Sequence, residues 1–235
     1  MQENHALVRG MAMDIDLRRA RPSRQGKEAG MILVVNPNSN AATTAQICAI
    51  AAPFLPDLQG WTAPRGPSVI LTPDQLAQAA DQVALLEPPP GCRGVIVAAF
   101  GDPGADRLAA RQSCPVIGIG AAAARAARGR PFAVATTTPD LRDGIDALMR
   151  AHAGNAPYLG CFLTPGPTLA VMSDPGRLDP ALLEATYDAA RAGAQAVIIG
   201  GGPLAQAAER IAARSPVPLI RPIPEAARLM RDLLT

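Results

Sequence analysis

Lysine is almost missing from this chain. The single example, Lys27, lies in the N-terminal segment. The rest therefore offers no amine for a Schiff base, for a pyridoxal phosphate linkage or for a phosphate-binding loop. Histidine is nearly as scarce. His5 lies near the start and His152 stands alone, so no clustered His, Cys and carboxylate set suggests a zinc or iron site. Aromatic residues make up only 3% and the net charge is +2. That leaves neither a base-stacking platform nor a basic stripe for nucleic acid. The four cysteines, Cys48, Cys92, Cys114 and Cys161, are far apart and form no CxxC pair, which reads as a reducing, cytoplasmic setting rather than a disulfide framework. No apolar run approaches the roughly eighteen residues of a membrane span, and none resembles a signal-peptide core. The expectation is a cytoplasmic protein with no metal, no cofactor, no nucleic acid and no membrane partner.

What is present is a phrase written twice. GVIVAAFGDPGADRLAARQSCPVIGI starts at Gly94, and AVIIGGGPLAQAAERIAARSPVPLIRP starts at Ala196. Each copy is a β-branched apolar run, a turn of small residues, a helical stretch, then a serine-proline step and another apolar run. The wider chain alternates in the same way. MILVVN, RGVIVAAF, PVIGI, PFAVATTT, CFLTPGPTLAV, AVIIGG and PVPLI read as strands. Helical patterns separate them, and GWTAPRG reads as a loop leading outward. Thr72 before Pro73, and Ser39 or Asn40, read as helix N-caps. Continuous apolar strands between helices imply parallel sheets covered on both faces. We therefore expect an α/β protein with a tail over 1–30 and two similar doubly wound lobes over 31–129 and 130–235. The lobes are related by pseudo-twofold symmetry with a cleft between them, and the C-terminal helix lies against the first lobe.

In such lobes ligands sit beyond the carboxyl ends of the strands, which draws attention to the turns NPNSN, AFGDPG, TTTPD and GGGPLA. Asn36, Asn38 and Ser39 can bind a carboxylate or carbonyl oxygen, or can simply cap a helix. Thr136 and Thr137 hold the equivalent place in the second half, with the same two readings. Gly101 permits close backbone approach, while Asp102 reads as a helix cap or, if burial raises its pKa, as a general base. Gly118-Ile119-Gly120-Ala121-Ala122-Ala123, with Asp140 about twenty residues on, is a weak variant of a dinucleotide-binding fingerprint. His152 reads as a cation at a helix C-terminus, and the cysteines as core or surface residues.

The ordered set VVNPNSN, AAFGDPGAD, PVIGI, TTTP and VIIGGGPLA resembles the aspartate/glutamate/hydantoin racemase superfamily, in particular its hydantoin and allantoin racemase branch. The resemblance covers nearly all of 31–235. It implies two α/β lobes around a cleft, no cofactor, and a homo-oligomer acting on a small molecule. It also implies a mechanism in which one thiolate removes a proton from the stereocentre and an opposite thiol returns one. In this chain the positions matching those two cysteines are Ala99 and Gly201, and the glutamate expected after PVIGI-Ala is replaced in Gly120-Ala121. The resemblance thus leads to a cofactor-independent enzyme for a small carboxylate or cyclic ureide or imide, with hydrolase- or lyase-type chemistry in place of the two thiols. Asp102 and Thr137 are its catalytic candidates. Asn36, Asn38, Ser39, Phe100, Gly101, Thr136, Thr137, Gly201, Gly202 and Pro203 are its substrate-binding candidates. A second reading is a small-molecule-binding or regulatory protein on the same frame. A third is a conventional racemase carrying a substituted cysteine at Ala99, which leaves Gly201 unaccounted for.

Overall fold

A computed structural model describes residues 30–235; the expectation of a tail over 1–30 falls, apart from Gly30, outside the described residues. Four apolar runs are buried along their whole length and form the centres of two sheets: β1 (Ile32–Asn36), β3 (Gly94–Val97), β5 (Phe132–Thr136) and β7 (Ala196–Ile199). With β2 (Leu58–Thr62) and β4 (Val116–Gly118) the first sheet runs β2-β1-β3-β4. With β6 (Tyr158–Leu163) and β8 (Leu219–Ile220) the second runs β6-β5-β7-β8. Every pairing is parallel, and the second sheet repeats the strand order of the first.

Helices α1 (Ala41–Ala51), α2 (Pro73–Ala84), α3 (Ala105–Ala109) and α4 (Ile119–Arg125) flank the first sheet, and α5 (Arg142–His152), α6 (Thr168–Met172), α7 (Pro175–Arg191) and α8 (Ala205–Ile211) flank the second. The local signals that start them are specific. Asn40 accepts a hydrogen bond from the Thr43 amide. Thr72 and Gln75 form a reciprocal capping box ahead of α2, with Pro73 in its first turn. The final helix, α9 (Pro222–Leu234), packs against α1 and α4 of the first lobe. Its Met230 fills the space above Gly94, where a β-carbon would meet the sulfur at 2.4 Å. No helix among the described residues is long and apolar enough to cross a membrane.

Two segments differ from the sequence reading. GWTAPRG is not a loop throughout, because Gly60, Trp61 and Thr62 belong to β2, which pairs with β1. β2 is an edge strand of mixed polarity and only half-buried, so it carries none of the apolar continuity that marks its neighbours. In the second half the strand begins at Tyr158, upstream of CFL, and Thr168–Met172 is helical rather than extended.

The duplicated turns lock the lobes together. Phe100, from the first lobe, is buried among Phe132, Val134 and Ile145 of the second, a burial that contributes about 1.5–3 kcal/mol. In return Ala205 packs into the first lobe beside Ile47 and Ala98. The fit requires glycine at 200. A β-carbon there would stand 2.8 Å from Phe100 Cε1 and 2.9 Å from Val134 Cγ1.

Candidate functional site

Because all strands of both sheets are parallel, the ends of β1, β3, β5 and β7 point their following turns into the seam between the lobes. A cavity of about 50 Å³ lies there, with Asn38, Ala99, Phe100, Thr137, Thr138 and the Gly200–Leu204 turn among its walls. That is room for a few water molecules.

The first turn divides its polar groups between internal and open roles. Asn36 is fully buried. Its Nδ2 donates to Asn38 Oδ1 at 2.9 Å and to Thr44 Oγ1 at 2.9 Å, while its Oδ1 accepts from the Asn38 amide at 3.2 Å. It shapes the turn and does not line the cavity. Asn38 does line it. Its Oδ1 receives the Asn40 amide at 2.9 Å, and since that amide can only donate, the orientation of the side chain follows. Nδ2 of Asn38 donates to no described residue and remains open to the cavity. Ser39 lies outside the cavity, exposed, where its hydroxyl donates to the Gly66 carbonyl at 3.0 Å and its amide to Pro67. It ties down the loop that brings Val69 and Ile70 to the cavity wall.

The threonine turn divides in the same way. Thr136 Oγ1 donates to the Gly200 carbonyl at 3.0 Å, so the contact with Thr138 Oγ1 at 3.2 Å has Thr138 as donor. Thr136 therefore braces the glycine turn rather than facing the cavity. Thr137 lines it, and within the described residues its only side-chain-mediated tie is Thr168 Oγ1 donating to its carbonyl.

The glycine turn supplies backbone. Gly201 adopts φ 137°, ψ 132°, a conformation L residues rarely enter. Gly202 sits close enough to the first lobe that a β-carbon would lie 3.2 Å from the Ala98 carbonyl. Among the described residues the amides of Ala99, Phe100, Gly201 and Gly202 donate to no protein acceptor. The cavity thus has main-chain donors from both lobes, Nδ2 of Asn38 and the Thr137 hydroxyl. Pro203 lines it without contributing a donor.

Asp102 is placed elsewhere. The turn carries Gly101 at φ 120° and Asp102 at φ 49°, which swings the carboxylate behind Phe100 onto the start of α4. One oxygen accepts the Gly120 amide at 2.7 Å and the other the Ala121 amide at 2.7 Å. It is a helix cap, but for α4 rather than for the α3 that follows it in sequence. Burial pushes the carboxyl up to about 7, the two amides oppose that, and Asp106 adds to the rise. The same contacts answer the dinucleotide reading. The amides that a phosphate would need at Gly120 and Ala121 are occupied by Asp102, and a β-carbon at Gly118 would fall 2.0 Å from the Asp102 carboxyl carbon.

None of the four cysteines lines the cavity. Burial raises Cys114 to about 11 and Cys161 to about 12, which keeps both as thiols. Among the described residues no three His, Cys, Asp or Glu side chains converge as a metal site would require. The sequence reading had no hold on the apolar wall, made by Val69, Ile70, Leu76, Leu141, Ile145 and Met172. On their helices and loops these residues carry the same pattern as core residues.

With this geometry in hand, comparison with known proteins is decisive at the level of family. The model of the Asp/Glu/Hydantoin racemase family matches residues 32–230. The chain belongs to that family. It is 26% identical to a hydantoin racemase of Paenarthrobacter aurescens over 217 residues, covering 86% of this chain and 90% of that one. Among solved structures it is similar to the allantoin racemase of Klebsiella pneumoniae, at 27% identity and a TM-score of 0.75, with 87% of each chain covered. It also shares the fold of the allantoin racemase of Pseudomonas fluorescens, at 24% identity and a TM-score of 0.76, covering 86% of this chain and 90% of that one.

Proposed function

We propose that this member of the racemase family holds a small carboxylate or cyclic ureide in the cavity between its lobes and does not interconvert its stereoisomers by the two-thiol route. The observation that carries the reading is the cavity lining. It presents N–H and O–H donors from both lobes and, among the described residues, no titratable side chain. Donors of this kind hold carboxylate or carbonyl oxygens. Racemisation through two bases needs a proton acceptor on one face and a proton donor on the other, and the two positions that match the family cysteines are Ala99 and Gly201.

One observation favours a second reading, an enzyme with hydrolase- or lyase-type chemistry. The Thr137 hydroxyl and the free amides of Phe100 and Gly201 are suited to stabilising an oxyanion, with a water molecule as the proton carrier. Asp102 enters this reading only through the turn that it fixes. Cofactor independence, a homo-oligomeric state and a cytoplasmic location belong to the same proposal and rest on composition and family resemblance.

The test combines three measurements on one panel of 5-substituted hydantoins, cyclic imides and amino acids. Saturable thermal stabilisation without product and without deuterium wash-in at the stereocentre in D₂O is the expected result. Wash-in or loss of optical rotation would overturn the conclusion. Ring-opened or decarboxylated product would select the enzyme reading, and failure of every compound to bind would remove both.

A further inference from the structure

Behind the turn that carries Phe100, on the side away from the cleft, lies a second cavity of about 130 Å³. It is larger than the cavity at the strand ends, and its lining is of another kind. Asp102 and Asp106 approach from the first-lobe turn and α3, Arg125 from the end of α4, and His152 from the end of α5 in the second lobe. Leu148 and Leu229 are among the apolar residues of the wall. His152 is half-buried. Burial and the Arg125 charge lower its pKa while the Asp106 charge raises it, which places both charges around the same space.

These charges are not spent on one another. Among the described residues Asp106, Arg125 and His152 form no ion pair, although nine other pairs engage arginines across the surface. A cavity flanked by unpaired charges of both signs is complementary to a molecule that carries both signs itself. Its volume restricts that molecule to a few heavy atoms beyond the charged groups, and the leucine wall suits a short apolar substituent.

We propose that this cavity is a second ligand site for a small zwitterion of the amino-acid class. The ligand carboxylate faces Arg125, with the His152 imidazole beside it, its ammonium faces Asp106, and its short side chain lies on Leu148 and Leu229. The site is separate from the cleft, and the proposal does not depend on which ligand the cleft takes.

Calorimetric titration of the full chain with L-alanine tests it, with propionate and ethylamine as probes lacking one charge each. Saturable binding of alanine, with binding of propionate and of ethylamine each weaker by about tenfold or more, is the expected result. Arg125→Gln and Asp106→Asn should each weaken alanine binding by about tenfold or more while retaining the wild-type melting temperature, since both side chains are exposed. Thr137→Val, in the cleft, should leave alanine binding unchanged. Three results would each overturn the proposal: no saturable binding of alanine, binding that survives both charge variants, or binding abolished by Thr137→Val.

Discussion

Replacing Gly201 by cysteine while also replacing Ala99 by cysteine would put thiols at both positions that we propose match the family's pair. The two substitutions meet very different backbones. Ala99 is not among the positive-φ residues and borders the cavity, so an added sulfur has room, and Ala99→Cys should change stability by no more than about 0.5 kcal/mol. Gly201 sits at φ 137°, ψ 132°, where a side chain costs about 1–3 kcal/mol. The new β-carbon would also lie 3.3 Å from Cγ of Leu204, which is 1% exposed and has little freedom to give way. For a chain of this size each kcal/mol moves the melting temperature by about 2–4 °C, so Gly201→Cys should lower it by roughly 2–12 °C. Thermal melts of both single variants and the double variant, with deuterium exchange at a hydantoin stereocentre as the activity readout, measure this directly. A Gly201→Cys protein that melts like the wild type would refute the strain argument. A double variant that racemises hydantoins at full stability would show that the glycine turn was free to carry a thiol all along.

Gly200→Ala should destabilise by about 1–3 kcal/mol through overpacking, and Phe100→Leu in the same chain should recover part of it, because the clash is with the Phe100 ring; a double-mutant cycle from denaturant melts reads the coupling. Asn36→Ala should cost about 1–3 kcal/mol and weaken cleft binding, since it leaves buried partners unsatisfied and releases the Asn38 side chain. Thr137→Val should reduce cleft affinity with little change in melting temperature, read by ligand-induced thermal shift. The pH dependence follows from Asp102, whose carboxyl is raised from 3.8 to about 7 by burial. The folded chain holds that proton more tightly than the unfolded chain, so the stabilisation is complete below the unfolded pKa and is lost as pH rises through about 7. Wild-type melting temperature should therefore fall between about pH 5 and about pH 8, and Asp102→Asn should flatten that slope.

Much of the architecture is visible in local pattern. Buried central strands such as FAVAT and AVII must be apolar without interruption because both faces are covered, and Thr72, Pro73 and Gln75 write a helix start within four residues. β2 escaped because an edge strand needs no such continuity; Leu58–Thr62 is half-buried and includes Gly60. The partner of Asp102 escaped for another reason. A carboxylate three residues ahead of α3 looks like the cap of α3, and only the left-handed turn at 101–102 sends it to the amides of α4, 18 and 19 residues away.

The residues by themselves determined which turns stand at the strand ends and what they carry. Alternation sets the parallel sheets, parallel sheets set the end at which the turns gather, and Ala99 and Gly201 can be read directly. Only the tertiary structure decided which polar groups remain available there. Asn36, Ser39, Thr136 and Asp102 are each consumed by partners inside the protein, while among the described residues Asn38 Nδ2, the Thr137 hydroxyl and the amides of Ala99, Phe100, Gly201 and Gly202 meet no acceptor. Whether a hydrogen-bonding group is spent depends on distance and direction to atoms brought close by the fold, and spacing along the chain does not encode that.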